Sequence, residues 1–325
     1  MITLHTVDGG RLVSAGSDCS RLPEGLVWVD LHNPTKDEEK AVESMLGIQV
    51  PTQLEMAEIE ESSRLYEEGG ALVMTAVLIE NATHKRPART PVTFVLTKER
   101  LITVRYADPM PFRAFEAKRH KAPESYTTAT LLFIALLDSI VERIADLIEV
   151  AETAVGDVST RIFYDEEVKP NAEERSANLR NLLILLGRKN RMLAILRESL
   201  LSLNRLILFV RAGASFIKDG ANGKLKAVER DIRSLAEYEA RVEAEIAYLQ
   251  DSTLGLINIE QNTIIKVFSI AAVLFLPPTL VGTIYGMNFE HMPELSWRVG
   301  YPLALVMMIV SAIIPFWWFK RKGWL

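Results

Sequence analysis

Cysteine is almost missing from this chain of 325 residues, because Cys19 is its only one. A single thiol excludes an internal disulfide framework and any metal site of the CxxC type. The five histidines are scattered and form no HxxH or HExxH pair. A zinc centre built from histidine and cysteine therefore lacks its ligands.

Motifs for nucleotides and nucleic acids are lacking as well. No GxxxxGK[ST] or GxGxxG sequence follows a predicted strand, and Gly69-Gly70 is interpreted as a turn. The net charge of −5, without a basic stripe carrying interleaved aromatics, argues against a nucleic-acid partner. No nucleophile, base or cofactor constellation indicates an enzyme. Residues 1–20 lack a basic start followed by an apolar core, so we expect no signal peptide.

Charge is absent from two long stretches near the C-terminus. Val267–Gly286 holds twenty uncharged residues, about the length that a helix needs to cross ~30 Å of hydrocarbon. A second uncharged run, Val299–Phe319, ends at Lys320-Arg321-Lys322, which we call the basic cluster. We predict transmembrane helices at 263–286 and 299–319, joined by a loop at 287–298 and followed by a tail at 320–325.

Basic residues near the two spans predict their orientation, since Lys and Arg stay on the cytoplasmic side. Lys266 precedes the first span and the basic cluster follows the second, whereas the loop carries Glu290 and Glu294 against one base, Arg298. The loop is therefore predicted to lie outside. Both chain termini are predicted to be cytoplasmic.

Short β-prone runs alternate with helical segments in residues 1–125, which predicts a small cytoplasmic α/β domain. The runs are rich in Val, Ile, Leu and Thr. We predict strands at Met1–Thr6, Gly25–Asp30, Ala71–Glu80, Pro91–Thr97 and Arg100–Arg105, and helices at Thr35–Met45 and Pro51–Ile59.

Residues 126–223 are predicted to form a helical hairpin. Leu131–Val150 and Asn171–Val210 each have an apolar face between charged positions, and Gly213–Gly223 is interpreted as a break because it holds three glycines. From Lys224 onward apolar residues recur every three or four positions as far as the first span. We predict a cytoplasmic stalk helix at 224–262 that continues to Tyr285, over roughly 90 Å.

One hairpin of two spans cannot enclose a water-filled path, so we expect several copies around one axis. The first span carries Ser269, Thr279 and Thr283 and would line a pore. The second ends in Trp317 and Trp318, which suit the membrane interface, and would face lipid.

The tripeptide Gly286-Met287-Asn288 at the outer end of the first span resembles the signature of the CorA family of magnesium channels and transporters. Its surroundings are similar to that family in the same order: Tyr285 and Phe289, Met292-Pro293-Glu294-Leu295, Gly300-Tyr301-Pro302, the basic cluster and Trp324-Leu325.

The resemblance implies a homopentamer with a cytoplasmic funnel that moves Mg²⁺ and, less selectively, Co²⁺ or Ni²⁺. We therefore expect a protein of the bacterial inner membrane. Zinc-transporting relatives usually have another residue in the middle of the tripeptide, so Met287 favours magnesium. A zinc transporter of the same superfamily and a non-conducting, metal-sensing membrane scaffold are the alternatives.

Mg²⁺ gives up its water reluctantly, and conduction requires weak binding. The sequence has no carboxylate between Lys266 and Met287. We therefore expect a selectivity filter of Gly286, Met287 and Asn288, in which Asn288 amides and Gly286 carbonyls contact hydrated Mg²⁺. The alternative for Asn288 is a cap at the C-terminal end of the helix.

Seven residues are predicted to line the pore. Six of them follow helical spacing along the first span, and the family pattern adds Phe268. They are Asn262, Ile265, Phe268, Ser269, Leu276, Thr279 and Thr283. The apolar members would close the path by dewetting. The alternative role for the apolar members is packing between helices. The alternative for Asn262 is exposure at the cytoplasmic interface. Pro277-Pro278 is consistent with a hinge or a fixed bend.

Asp251 matches the family position at which cytoplasmic Mg²⁺ is held between subunits, and Glu80 is our choice for its acidic partner. Loss of this regulatory Mg²⁺ would let like charges push subunits apart. A solvated surface charge is the alternative for Asp251. The basic cluster is expected either to ring the inner mouth or to contact lipid phosphate.

Overall fold

The computed structural model describes residues 1–19, 21–58, 60–82, 86–164, 172–288 and 290–324. The chain divides into two compact units. The first comprises most of the chain up to Gln250. The second comprises the chain from Asp251 onward together with the short stretch that ends at Leu179.

Seven strands in the described part of the first unit form one mixed sheet. Its order is β2-β1-β3-β7-β6-β5-β4. Strands β3 and β7 pair in parallel, with Trp28 opposite Leu101, and the other neighbouring pairs of described strands are antiparallel. The strands are Ile2–Asp8 (β1), Arg11–Gly16 (β2), Leu26–His32 (β3), Leu65–Glu68 (β4), Ala71–Glu80 (β5), Ala88–Leu96 (β6) and Leu101–Arg105 (β7).

Eight α-helices accompany these strands in the described part of the chain, with 3₁₀ turns at Pro123–Ser125 and Pro293–Ser296. The helices are Lys36–Leu46 (α1), Gln53–Met56 (α2), Glu61–Arg64 (α3), Met110–Lys121 (α4), Ala129–Phe163 (α5), Ala172–Gly213 (α6), Asp219–Tyr285 (α7) and Gly300–Arg321 (α8).

Both faces of the sheet are covered, which explains why its central strands are nearly continuous apolar runs. Alternate residues of β5 enter two cores, because successive side chains point to opposite faces. Leu72 and Met74 belong to the large core that also contains the buried sides of α5, α6 and α7. Val73 belongs to a smaller core with Val42 of α1.

Helix α1 begins at a capping box. The Thr35 hydroxyl accepts a hydrogen bond from the Glu38 amide, and the Glu38 carboxylate accepts one from the Thr35 amide. The helix ends at Gly47, whose φ of 67° suits glycine. The prediction for this helix is confirmed to within one residue at each end.

The sequence prediction was wrong in several elements of this unit. The helix predicted at Pro51–Ile59 is only the four-residue α2, and Ile59 lies outside the described residues. Strands β2 and β4 and helix α4 were not predicted. Pro109, before the first residue of α4, makes no side-chain cap hydrogen bond, so the N-cap signal for a helix start is lacking.

Helices α5 and α6 run in opposite directions, as predicted. Arg197 of α6 pairs with Glu243 of α7, whereas the later Arg211 pairs with the earlier Glu229, so α6 and α7 are antiparallel. The contacts of α5 with α7 follow the same order along both helices, so α5 and α7 are parallel. They join Glu152 to Arg241 at 2.7 Å and Phe163 to Tyr248 with ring centroids 6.2 Å apart.

Helix α7 begins at Asp219, five residues before the predicted start at Lys224. Gly220 and Gly223, which we interpreted as part of a break, lie inside it, and the break is the segment 214–218 between α6 and α7. The 67 residues of α7 would extend about 100 Å at 1.5 Å per residue. Continuity from the stalk into the first predicted span is confirmed.

A buried ion pair fastens the parallel strands β3 and β7. The Arg105 guanidinium donates to the Asp30 carboxylate at 2.9 Å, and the Thr103 hydroxyl donates to the same carboxylate at 2.6 Å. Burial lowers the pKa of Arg105, but the charge of Asp30 and hydrogen bonds to Asp30 and Asp108 outweigh it, and the pKa is raised on balance. Trp28 donates its indole N–H to Thr103 at 3.0 Å and completes the network.

Candidate functional site

The C-terminal part of α7 and the whole of α8 expose apolar side chains within the second unit. Among the residues that the structure describes, two helices are long and apolar enough to cross a membrane, and only 6% of the most apolar window of each is buried. Phe268 is 72% exposed and Phe275 is 71% exposed. An exposed apolar surface of this extent marks a contact with lipid or with other protein.

The least exposed residues of this part of α7 lie on one face. At about 100° per residue, positions 270, 274, 277, 278, 281 and 285 fall on that face, and Ile270 is only 6% exposed. Helix α8 contacts α7 at Gly282, near the edge of this least exposed face. An added Cβ at Gly282 would lie 3.0 Å from Cε of Met308. The sequence analysis did not single out Gly282, although a small residue in a span is a known signal of close helix packing.

The predicted pore-lining residues occupy the opposite face of α7. All seven are exposed within the second unit, including Ile265 at 61% and Leu276 at 66%. Because they share the face opposite the least exposed residues, another copy of the chain or a water-filled path can meet them together. The set is Asn262, Ile265, Phe268, Ser269, Leu276, Thr279 and Thr283.

The threonine hydroxyls on this face donate to carbonyls of their own helix. Thr279 donates to Phe275 at 2.7 Å, and Thr283 donates to Thr279 at 2.8 Å. Their hydroxyl oxygens keep lone pairs that can accept hydrogen bonds from water. A hydrated cation could therefore contact these positions through its water shell.

Pro277-Pro278 lies inside α7, and the helix is assigned continuously through both prolines. Proline has no N–H, so the carbonyls of Val273 and Leu274 lose their usual donors four residues later. Water or a neighbouring helix can satisfy such carbonyls in a span. The hinge and the fixed bend both stay open as interpretations.

The predicted filter residues follow the end of α7 directly. The Gly286 amide donates to Gly282 at 3.0 Å, and the Met287 amide donates to Ile284 at 3.3 Å, so the chain leaves the helix gradually. Asn288 is exposed and is not among the non-glycine residues with positive φ in the described chain, and Gly286 is not left-handed either. Asn288 therefore does not adopt the left-handed conformation of a cap, and its part in a filter stays a prediction. Phe289 lies outside the described residues.

The loop between the spans folds tightly against the start of α8. Its 3₁₀ turn is closed by the Ser296 hydroxyl, which donates to Pro293 at 2.7 Å. The Gly300 amide donates to Trp297 at 3.0 Å. A Cβ at Gly300 would lie 2.3 Å from the Glu294 carbonyl oxygen, so only glycine fits at this position.

The two acids predicted to regulate the protein belong to different units. Glu80 ends β5 and lines a cleft of about 320 Å³ that also contains Asp108, Arg113 and Arg143. Asp251 is exposed on α7, at the first position of the longer segment of the second unit. Among the residues that the structure describes, no group of three or more His, Cys, Asp or Glu is arranged to hold a metal. The pairing of Asp251 with Glu80 stays a prediction.

The basic cluster lies at the end of α8. Lys320 and Arg321 are in its last turn and Lys322 caps it, where cations are favoured by the helix dipole. The guanidinium of Arg321 lies 5.4 Å from the ring centroid of Trp317. Helix α8 includes Lys320 and Arg321, so the predicted tail at 320–325 is in part helical, and Leu325 lies outside the described residues.

Comparison with known proteins identifies relatives along the whole chain. A family described as CorA-like Mg²⁺ transporter protein matches residues 23–321. The chain is 31% identical over 332 aligned positions to the magnesium transport protein CorA of Escherichia coli strain K12, and 29% identical to that of Pasteurella multocida strain Pm70. Both alignments cover each chain completely. The solved structure of the CorA magnesium transporter from Methanocaldococcus jannaschii matches with a TM-score of 0.77 at 17% identity, covering 100% of this chain and 99% of that one.

Proposed function

The chain belongs to the CorA-like Mg²⁺ transporter family, and on that basis we propose that it forms a homopentameric channel through which Mg²⁺ enters the cell. The observation that carries the proposal is the exposed face of α7 opposite Ile270, on which all seven predicted pore residues lie. Cobalt and nickel ions are proposed as less selected substrates. No catalytic step is involved.

Assembly around an axis follows from the one-sided packing of α7. The least exposed face of α7, around Ile270, has the contact with α8 at its edge. The opposite face, with the predicted pore residues, can therefore point toward a common centre in each copy. Closed rings are the common solution for identical subunits. Five copies would place five α7 helices around the path, and lipid would cover the apolar exterior.

Selectivity is proposed to arise at the outer end of α7. The uncharged stretch Val267–Gly286 offers no carboxylate that could strip and trap the ion. Amide oxygens of Asn288 and the backbone carbonyl of Gly286 would accept hydrogen bonds from the water bound to Mg²⁺. The C-terminal end of α7 adds partial negative charge at this point, which favours a cation.

We propose that the ion path closes where apolar residues of all subunits face one another and stays hydrated where polar residues do. Ile265, Phe268 and Leu276 would form the constriction, since apolar pore walls lose water easily. Asn262, Ser269, Thr279 and Thr283 would keep the remaining positions polar.

Energy for uptake would come from the electrochemical gradient of Mg²⁺, to which the membrane potential contributes. A divalent ion gains ~4.6 kcal/mol per 100 mV, twice the value for one charge. This supply removes the need for a nucleotide. The orientation that we propose has both termini in the cytoplasm and the loop 287–298 outside the bacterial inner membrane.

Regulation is proposed to use Mg²⁺ bound by Asp251 of one subunit and an acid of its neighbour, for which Glu80 is the candidate. Bound Mg²⁺ would neutralise facing carboxylates and stabilise the closed state. Its release at low internal Mg²⁺ would let the carboxylates repel each other and favour opening.

The proposal is tested by Mg²⁺ entry into liposomes that contain the purified chain and an internal Mg²⁺ indicator. Wild type should admit Mg²⁺, and Asn288→Ala should reduce the rate at least about tenfold if the amide ring recognises the hydrated ion. Asn181→Ala is the matched control, because it makes the same change at an exposed position of α6. Near-normal entry through Asn288→Ala would refute the filter.

The same assay separates the rival functions. A zinc transporter would admit Zn²⁺ in preference to Mg²⁺ when the two compete, with Co²⁺ and Ni²⁺ as further competitors. A metal-sensing scaffold would admit none of these ions. Either outcome would replace the proposal.

A further inference from the structure

The last turn of α8 closes in a Schellman motif, which turns the chain back on itself. The Trp324 amide donates to the Phe319 carbonyl at 3.0 Å, and the Gly323 amide donates to the Lys320 carbonyl at 3.2 Å. Gly323 has φ of 70°, the left-handed conformation that this motif requires and that glycine adopts readily. The direction of Trp324 is therefore set by the backbone.

The reversed chain places Trp324 between two partners. Its ring stacks on Phe319, with centroids 5.5 Å apart and planes at 17°, and Phe319 is only 4% exposed. This contact is the apolar one that usually accompanies the motif. The Trp324 ring also faces Nζ of Lys266 on α7, 5.8 Å from the ring centroid, within the range of a cation–π interaction.

Lys266 lies where its charge affects the proposed ion path. It directly follows Ile265 of the predicted pore face and directly precedes the uncharged stretch. On the helix its Cα lies between the pore face and the least exposed face, about 100° from the centre of the pore face. Its flexible four-carbon side chain can turn either toward the path or away from it. In the structure the ammonium points to Trp324 of the C-terminal segment.

We propose that Trp324 is a positioning residue that holds the Lys266 ammonium against the C-terminal turn of α8 and away from the path of the ion. The inference rests on the proposed function, because it requires α7 to line a pore. Without the indole, the ammonium of each copy would sample the inner mouth and repel a divalent cation. The repulsion would weaken at high ionic strength, since salt screens charges beyond about 8 Å at 0.15 M.

The test measures Mg²⁺ entry into liposomes for a double-mutant cycle. Trp324→Leu keeps apolar bulk on Phe319 but removes the indole π-system, and we expect roughly three- to tenfold slower entry at 0.15 M salt. The defect should shrink at 0.5 M salt. Lys266→Gln and the double variant Trp324→Leu/Lys266→Gln should carry equal flux, because Trp324 acts only through the ammonium. Trp324→Phe should restore most of the rate.

Trp318→Ala is the matched control, since it removes a tryptophan from the same turn that is 52% exposed and that packs edge-on against Phe319. It should show no salt-dependent defect. Equal rates of Trp324→Leu and wild type would overturn the inference, as would a Trp324→Leu defect of the same size in the Lys266→Gln background. Absence of Mg²⁺ entry in wild type would instead refute the proposed function.

Discussion

Gly300→Ala should disrupt the loop between the two apolar helices, because the added methyl group has no room. An ideal Cβ would lie 2.3 Å from the Glu294 carbonyl oxygen and 3.5 Å from its carbonyl carbon, whereas ordinary contact begins at 3.4 Å. The obstacle is backbone and not a flexible side chain. Glu294 or the first turn of α8 must therefore move by about 1 Å, and a closely packed structure resists such a shift.

The expected loss can be worked from these contacts. Forced overpacking costs about 1–3 kcal/mol. The same movement would stretch the hydrogen bonds from Gly300 to Trp297 at 3.0 Å and from Trp297 to Glu294 at 3.3 Å, each worth about 1 kcal/mol. We expect local opening of the loop to become easier by about 2–4 kcal/mol, which is roughly 30- to 1000-fold in the opening equilibrium.

Hydrogen exchange of the full chain, resolved by mass spectrometry over residues 290–303, measures this opening. The variant should exchange faster in that segment and admit Mg²⁺ more slowly, because the loop joins Asn288 to α8. Gly255→Ala is the matched control, since an added Cβ there meets nothing within 4 Å. Unchanged protection in Gly300→Ala would refute the steric argument.

Three further predictions concern the first unit and Asp251, the acid that we propose for regulation. Asp30→Ala leaves Arg105 buried without its main partner and should lower the free energy of unfolding by about 3–5 kcal/mol; a loss under about 1 kcal/mol in urea denaturation would contradict this. His5 is buried, and desolvation, followed by the charges of Arg119 and His120, lowers its pKa from 6.5 to about 3. Its contribution to stability is therefore complete above pH 6.5 and is lost as pH falls toward 3, by at most ~1.4 kcal/mol per pH unit. In His5→Phe the midpoint of unfolding should depend less on pH between pH 6.5 and 5 than it does in wild type. A dependence as steep as that of wild type would exclude this role of His5. Asp251→Lys should reduce the inhibition of Mg²⁺ entry by internal Mg²⁺ at least several-fold, and unchanged inhibition would remove Asp251 from regulation.

The strands that the sequence predicted are the ones that pack on both faces. β5 is a nearly continuous apolar run, and β6 contains Val92, Phe94, Val95 and Leu96, so both carry a clear strand signal. The two missed strands, β2 and β4, are the two edges of the sheet. Their residues are mostly exposed, so hydrophobic periodicity carries little information about them.

Helix ends were predicted less well than helix interiors. Gly220 and Gly223 indicate a break by local propensity, at about 1 kcal/mol each. Packing of the adjacent helix overrides this cost, since Leu225 is fully buried in the large core. This packing contribution cannot be predicted from the local sequence.

The face of α7 that would line a pore was predictable from spacing, because residues three and four apart share one side of a helix. The contact of α8 at Gly282 was not, since it depends on Met308, far along the chain. The pairing of Lys266 with Trp324 was hidden for the same reason. Only Gly323, a typical residue for a helix C-terminus, hinted that the chain reverses there.

The most direct test of the central claim is Mg²⁺ entry into sealed liposomes that contain only the purified chain, measured with an inside-negative potential. Our account predicts saturable entry that accelerates with the potential, slows when internal Mg²⁺ rises and requires Asn288. Liposomes that stay impermeable to Mg²⁺ at every internal Mg²⁺ concentration would contradict it.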